Sequence, residues 1–363
     1  MKKISICTVC MNRLYYLSQT LPVNIKENQG YPNLEFVVLN YNSRDDMDDW
    51  MRTHMGRHIE SGLVKYYRTD EPEFFNLAHS KNMATKLATG DIICNIDADN
   101  YAGPGYVNWV QERFSTKGPG IEITTIRRDA IPYRDQGGKL CFYKDLFIKV
   151  NGYDESLIGY GMDDVDLSNR LENAGAKRVF IEEEKYLRFI PHSDQERIAN
   201  YRYPNNLKSI YVCISYTTRK RQKALYLFVD DTAEELDFRF NESVQSDLVR
   251  TFVGWTIAEG GHRKASFRQT ESRLTLTFSD NSFAAYEVED GLLYSRNTGP
   301  ESIWKELKQG DHMYLMVLMG YNECLNRRTF SDNERSNGSI NKKGWGQGNV
   351  FRNFETRPAL PVI

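Results

Sequence analysis

The residues with chemical potential in this 363-residue chain fall at three places. The apolar run Ile92-Ile93-Cys94-Asn95-Ile96 breaks off into Asp97-Ala98-Asp99. In an open α/β sheet, ligands collect beyond the carboxyl ends of the strands. Two carboxylates there can hold a hard divalent cation, and such a cation can hold a diphosphate. The second place is Gly159-Tyr160-Gly161-Met162-Asp163-Asp164-Val165-Asp166, whose carboxylates open a helix predicted to run to about Ala174, with Gly175 as its stop. Acidic residues in a first turn favour the helix dipole and can be ordinary capping. Three of them behind a Gly-Tyr-Gly loop exceed what a cap requires. The third place is Tyr186 to Pro191, which reads as a strand delivering His192 at its end. A histidine there can be structural or a metal ligand.

The elements that must position these groups alternate. Short apolar strands are predicted at 4–9, 34–39, 63–67 and 121–126, besides the one that ends at Asp97. Between them lie helical patterns: Leu14, Leu17 and Leu21, disturbed by Pro22; 45–55; 76–89, with Gly90 as stop; and a helix started by Pro104 with Tyr106, Val107, Val110 and Phe114 as its inner stripe. Strand–helix alternation implies a mainly parallel sheet covered on both faces. From about Leu207 the character changes to antiparallel α+β material. A hairpin is expected over Ser279-Asp280-Asn281-Ser282, and helices over 244–257 and 301–307. The tail from Asn322 is polar and Gly-rich.

Length fits roughly two domains. A net charge of −2 gives no general drive toward nucleic acid or acidic membranes. The basic run Thr217-Thr218-Arg219-Lys220-Arg221-Gln222-Lys223 reads as a solvated hairpin tip, with a polyanion or membrane-surface contact as the rival. The sequence offers neither a signal-peptide h-region nor a run of about 18 apolar residues, so a cytoplasmic protein without a transmembrane segment is expected. The six cysteines are scattered; Cys7 and Cys10 form a CxxC within an apolar strand and read as core thiols rather than a redox or zinc motif.

Taken together, Ile4 to Arg13, Glu35 to Ser43, Ser80-Lys81-Asn82 and the Asp97-Ala98-Asp99 strand end resemble a family 2 glycosyltransferase of the GT-A fold. Asn151 to Leu171 resembles the C-terminal catalytic segment of β-1,4-galactosyltransferases and related bacterial polysaccharide transferases. Their Gly-Trp-Gly-Gly-Glu-Asp and Asn-Arg-Leu appear here as Gly159-Tyr160-Gly161-Met162-Asp163-Asp164 and Asn169-Arg170-Leu171, and their histidine metal ligand falls at His192. Phe189 stands where that family has a methionine ligand, and Met162 where it has glycine.

The resemblance implies an α/β, Rossmann-like mixed sheet of the nucleotide-diphospho-sugar transferase type over 1–206. A smaller α+β domain would be inserted or appended at 207–321, with the tail 322–363 returning to the catalytic domain. It further implies an inverting, metal-dependent transferase that moves a hexose or N-acetylhexosamine from a nucleotide sugar, with UDP as the nucleotide, to a saccharide or lipid-linked saccharide in surface polysaccharide or glycoconjugate synthesis. Asp164 would be the base and Asp163 would orient the acceptor. Asp99, His192 and Asp97 would form the site of a divalent metal, Mn2+ ahead of Mg2+, with Asp97 bonding the ribose or a bound water. Thr8, Asn12, Arg13, Asn42, Phe75, Lys81 and Asp97 would bind the donor nucleotide, and Tyr160, Gly161 and Met162 the acceptor. A nucleotide-sugar or carbohydrate-binding module without turnover is the alternative. A nucleotidyltransferase fits less well, because Cys10-Met11-Asn12-Arg13 is not its Gly-rich, Arg/Lys-containing loop.

Overall fold

The computed structural model describes residues 1–126, 138–218, 220–240, 255–295, 302–336, 340–355 and 360–362. They form two compact units: Met1–Ile158, Met162–Ser193 and Asn337–Ile363 make the first, and Gly159–Gly161 with Asp194–Ser336 the second.

The first unit begins with β1 (Ile4–Cys10), α1 (Leu14–Asn28), β2 (Leu34–Tyr41), α2 (Met47–Glu60), β3 (Val64–Thr69), α3 (Leu77–Leu87) and β4 (Ile92–Asn95). Then come α4 (Tyr106–Lys117), β5 (Ile121–Thr124), β6 (Leu140–Tyr143), α5 (Lys144–Lys149), α6 (Asp163–Asn173) and β7 (Lys177–Phe180). Every residue of β1 and β2 is buried, because helices cover both faces and neighbouring strands both edges. α1 continues through Pro22 rather than being broken there. α3 starts at Asn76, whose side chain accepts from the His79 amide. The strand expected over Tyr186 to His192 is instead a 3-10 turn, Glu184–Tyr186, followed by a single antiparallel bridge between Asn100 and Phe189.

The second unit contains α7 (Asp194–Ile198), α8 (Arg202–Asn205) and eight strands: β8 (Leu207–Cys213), β9 (Arg221–Phe228), β10 (Thr232–Phe240), β11 (Trp255–Gln269), β12 (Arg273–Phe278), β13 (Phe283–Glu289), β14 (Leu292–Ser295) and β15 (Ser302–Leu307). These close into an antiparallel barrel in the order β10-β11-β12-β13-β14-β15-β8-β9, which leaves no strand edge unpaired. Leu225, Leu227, Phe267, Leu274, Leu276, Leu293 and Trp304 fill its core. A long helix, α9 (Tyr314–Ser336), ends the unit. On it the Val317 carbonyl accepts from the Tyr226 hydroxyl at 2.9 Å.

One expectation fails here, and another lies mostly outside the described residues. The helix placed at 301–307 is β15: Trp304 faces Leu293 and Cys213 across the ladders on either side, and pairing on both edges outweighs the helix-start cue of Pro300. Of the helix placed at 244–257, 244–254 lie outside the described residues and 255–257 belong to β11. The α+β domain is therefore a closed β-barrel with helices attached. The boundary placed at 322 falls inside α9, and the tail rejoins the first unit from Asn337.

There β16 (Gly348–Arg352) runs antiparallel to β3 and carries β17 (Leu360–Val362) beyond it. The finished sheet has the order β17-β16-β3-β2-β1-β4-β6-β5-β7. β3, β2, β1 and β4 are mutually parallel, while β6 is antiparallel to β4 and β5. All six cysteines are free and buried, and burial pushes the thiols of Cys7 and Cys10 up, as core residues require. No helix among the described residues is long and apolar enough to cross a membrane.

Near the amino ends of the parallel strands sits a buried carboxylate, Glu35, with only 1% of its side chain exposed. It accepts from the Ser5 hydroxyl at 2.6 Å and the Thr89 amide at 2.6 Å, and it pairs with Lys3 at 2.8 Å and Lys65 at 2.7 Å. Burial alone would raise its pKa; Lys3, Lys65, Ser5 and Thr89 more than reverse that and hold it at about 2. A folded-state pKa below the unfolded value gives stability that is present above about pH 4.5 and lost as pH falls toward 2. Glu35→Gln should cost on the order of 3 kcal/mol at pH 7 and flatten the acid limb. Urea denaturation between pH 2 and 7 checks this; an unchanged acid limb would remove Glu35 from the account.

Candidate functional site

Asp97 and Asp99 lie at the carboxyl end of β4. The Ile96 amide donates to the Cys7 carbonyl at 3.0 Å, and the Thr8 hydroxyl donates to the Ile96 carbonyl at 2.9 Å. The acidic turn therefore leaves the sheet beside the end of β1. The Asn100 amide then closes on the Asp97 carbonyl at 2.9 Å. Backbone pairing brings in the histidine: the Ile190 amide donates to the Asp99 carbonyl at 2.8 Å and the Tyr101 amide to the Arg188 carbonyl at 3.0 Å. His192 Nε2 ends 2.9 Å from Asp99 Oδ2, while Asn100 Nδ2 donates to Asp99 Oδ1 at 2.8 Å. The Tyr16 ring meets the His192 ring edge-on at 5.7 Å, and the Arg13 guanidinium lies over Tyr16 at 5.3 Å. Burial works against the Asp99 charge, but the hydrogen bonds from His192 and Asn100 and the charges of His192 and Arg13 outweigh it and lower its pKa.

A second cluster adjoins the first through Lys81 on α3. Its ammonium is 3.0 Å from Asp164 Oδ1 and 3.3 Å from Asp97 Oδ1, on a side chain that is 3% exposed. Burial disfavours that charge; Asp164 and Asp97 overcome it and hold the lysine pKa well above its usual value. The Tyr153 hydroxyl donates to the same Asp164 oxygen at 3.0 Å. Asp163, next to it at the start of α6, has a buried Oδ2 with no hydrogen-bond partner. Burial first, then the neighbouring Asp164 charge, raise Asp163 to a pKa of about 8, so it carries its proton at neutral pH. Met162, in left-handed conformation with φ 75°, makes the turn into α6.

The residues matched to the donor gather at the carboxyl ends of β1 and β2, the same end of the parallel sheet as Asp97. Asn12 and Asn42 hold φ near 54° and 55°. Asn12 accepts from the Arg44 amide at 2.6 Å, Asn42 Nδ2 donates to the Pro72 carbonyl at 2.8 Å, and Phe75 meets Tyr41 edge-on at 5.8 Å. Thr8 commits its hydroxyl to Ile96, and Lys81 bridges two acids. Tyr160 and Gly161 belong to the second unit. There Arg197 donates to the Tyr160 hydroxyl at 2.6 Å and lies over its ring at 4.9 Å. Asn326 donates to the Gly161 carbonyl at 2.9 Å, and a Cβ on Gly159 would fall 1.7 Å from Asn322 Nδ2.

Sequence reasoning missed Gly138, Lys139 and Tyr153. A Cβ on Gly138 would lie 1.9 Å from Asp97 Oδ2, so only glycine lets the carboxylate sit there. Lys139 is fully buried and donates to the Tyr101 carbonyl at 2.7 Å and to the Tyr186 carbonyl, stapling the segment after Asp99 to the turn before His192. Burial lowers its pKa to about 7 against the pull of Asp97 and Asp99. The signal was the Gly-Gly-Lys leading into β6. For Tyr153 it was the Asn151-Gly152 turn, which holds φ 59° and 68°.

Among the described residues no three His, Cys, Asp or Glu side chains converge as a metal site. Asp99 and His192 do meet, and they are the oxygen and nitrogen donors a divalent cation accepts when substrate oxygens complete its shell.

Residues 5–156 match the family model described as glycosyl transferase family 2, and residues 128–193 the one described as N-terminal domain of galactosyltransferase. The first unit thus carries a stretch, residues 5–156, that matches glycosyl transferase family 2. No curated protein matches the chain. Among solved structures it is similar to a mannosyltransferase from Pyrobaculum calidifontis in complex with GDP-Man and Mn2+, with 19% identity, 52% of this chain and 57% of that one covered, and a TM-score of 0.43. It is also similar to S. aureus TarS 1–349, with 13% identity, 51% and 59% covered, and a TM-score of 0.42. Glucosyl-3-phosphoglycerate synthase from Mycobacterium tuberculosis, solved with Mn2+, UDP and phosphoglyceric acid, gives 16%, 54% and 73%, and 0.38. The chain thus spans somewhat over half the length of the first two.

Gly138→Ala should displace the Asp97 carboxylate with little loss of stability. A misplacement of about 1 Å at a reacting site can lower turnover about 100-fold. Transfer rates beside thermal melts check this; wild-type turnover in a folded variant would show that the close approach has no functional consequence.

Proposed function

We propose that this family 2 enzyme is an inverting, metal-dependent transferase. It would move a hexose or N-acetylhexosamine from a UDP-sugar to a saccharide or lipid-linked saccharide acceptor, in cytoplasmic assembly of a surface polysaccharide or glycoconjugate. The observation that carries this reading is the buried Lys81 ammonium between Asp97, beside the Asp99–His192 pair, and Asp164, beside the protonated Asp163.

A sugar hydroxyl is a poor nucleophile at neutral pH, so a base must reach it. Asp164 takes that proton, held in place by Lys81 and Tyr153. Asp163, an acid with an unused Oδ2, donates a hydrogen bond to the acceptor and orients it. Direct displacement by that hydroxyl inverts the anomeric centre. A divalent cation held by Asp99 and His192, with Asp97 alongside, would supply the positive charge that the leaving diphosphate requires. The imidazole donor favours Mn2+ over Mg2+, which prefers an all-oxygen octahedron. With its Nδ2 committed to Pro72, Asn42 presents its Oδ1 as an acceptor, which suits the imide N–H of uracil. Six free, buried cysteines accord with a reducing compartment.

Incubation with a panel of nucleotide sugars, acceptors and Mn2+ should release UDP, with release lowered about 10²–10⁴-fold in Asp164→Ala and strongly reduced in Asp99→Ala. Tight UDP binding without release from any donor would overturn transfer in favour of a binding module, and pyrophosphate release would point to nucleotidyl transfer. Turnover should also fall as pH rises through about 8, where Asp163 loses its proton. Asp163→Asn, always a donor, should lose that alkaline limb; an unchanged pH profile would take Asp163 out of acceptor positioning.

A further inference from the structure

At one end of the barrel the inward-facing positions change from apolar to charged. Along β9 the side chains on the core face are Leu227, Leu225, Lys223 and Arg221; along β10 they are Ala233, Glu235 and Asp237, in register as Ala233↔Leu227, Glu235↔Leu225 and Asp237↔Lys223. Arg263 of β11 stands opposite Glu235. The carboxylates lie deep, 4% and 15% exposed for Glu235 and Asp237, while Lys223, Arg263 and Arg221 reach solvent at 29%, 37% and 42%. Lys223 and Arg263 share a single Glu235 oxygen, at 2.9 and 3.6 Å. Asp237 Oδ2 accepts from the Tyr216 hydroxyl at 2.8 Å and from Arg221 at 3.2 Å. The cationic groups lie over aromatic rings: Arg221 over Tyr216 at 4.3 Å, Lys223 over Trp304 at 5.7 Å and Arg263 over Phe278 at 3.5 Å. Asp237 Oδ1 and Arg221 Nε are buried atoms with no hydrogen-bond partner.

We propose that this barrel mouth binds an anionic saccharide. Arg221, Lys223, Arg263 and Arg239, which stands opposite Arg221 in the ladder, face Glu235, Asp237 and the exposed Asp280, 3.9 Å from Arg263, and leave a positive rim, which an acidic group neutralises. One ion pair also keeps an open buried acceptor, Asp237 Oδ1, and an open buried donor, Arg221 Nε. A hydroxyl is both donor and acceptor and satisfies the two together. A plug serving only to close the barrel is made more favourably by apolar residues than by desolvated charges. The mouths of β-barrels are frequent ligand sites. The anion class is assigned from the charges; that it is a saccharide rests on the family of the chain, and not on the proposed donor, metal or base. The basic run of the sequence thus sends Arg221 and Lys223 into the barrel mouth rather than leaving both at a hairpin tip.

Calorimetric titration of the full chain with trigalacturonate, maltotriose and inorganic phosphate tests this. Trigalacturonate should bind, more weakly as salt rises, and at least tenfold more tightly than maltotriose or phosphate. Arg221→Gln should weaken it about tenfold. The double variant Lys223→Met, Glu235→Gln removes a cation together with its buried partner and so keeps the fold; it should weaken binding similarly while UDP-sugar hydrolysis stays at wild-type rate. No trigalacturonate binding, binding insensitive to salt, equal binding of maltotriose, phosphate as tight as trigalacturonate, or folded variants that bind like wild type would each overturn the proposal.

Discussion

The site depends on one buried ammonium. Asp97, Asp99, Asp163 and Asp164 crowd the carboxyl edge of the sheet, and at short range in a partly desolvated setting like charges repel by several kcal/mol. Lys81 takes Asp97 and Asp164, His192 takes Asp99, and Asp163 escapes by keeping its proton. The four carboxyls therefore share three solutions to the same problem. That difference turns an acidic patch into a set of distinct chemical groups.

Lys81 can do this only if α3 is held in place. Its neighbour Asn82 donates to the Tyr153 carbonyl and to Glu155 and accepts from the Tyr153 amide, which fixes the loop that supplies Tyr153 to Asp164. The C-terminal segment then packs on the same helix. The Gly346 amide donates to Glu155 Oε1 at 2.6 Å, the Gln347 carbonyl meets His79 Nε2 at 2.8 Å, and Lys86 lies over the Trp345 ring at 4.4 Å. A Cβ on Gly346 would fall 2.9 Å from the Asn82 backbone, so the contact needs that glycine. The return of the chain to this sheet thus bears on the position of Lys81 as well as on the sheet edge.

The acidic residues, the histidine and the strand–helix alternation were legible because each leaves a local mark: an apolar run that stops, a glycine before acids, a period of two or 3.6. What escaped was set by distant parts of the chain. β15 looks helical from its own residues and is a strand because β14 and β8 pair with it on both sides. The segment before His192 looks like a strand and makes only one bridge, since the partner it meets at Asn100 is itself leaving the sheet. The Gly-Gly-Lys before β6 marks Gly138 as unusual, but which side chain it approaches is fixed by β6 lying antiparallel beside β4. Lys81 was read as a donor ligand because a lysine beside a nucleotide site invites that role. Its two acidic partners, 16 and 83 residues away, become visible only in the folded chain.

Lys139 shows how far the fold goes to hold the histidine. Burying an amine beside two backbone carbonyls lowers its pKa to about 7, which means that folding disfavours its charge over the range from there to 10.5. The penalty buys a fixed distance between the Asp99 exit and the turn that leads to His192, a pairing otherwise made by the two backbone hydrogen bonds of a single bridge. An apolar residue there would remove the penalty and leave both carbonyls without their donor, at about 1–3 kcal/mol each. The lysine is therefore the less costly solution only while the acidic turn and the histidine segment must stay together, and that requirement comes from the Asp99–His192 pair.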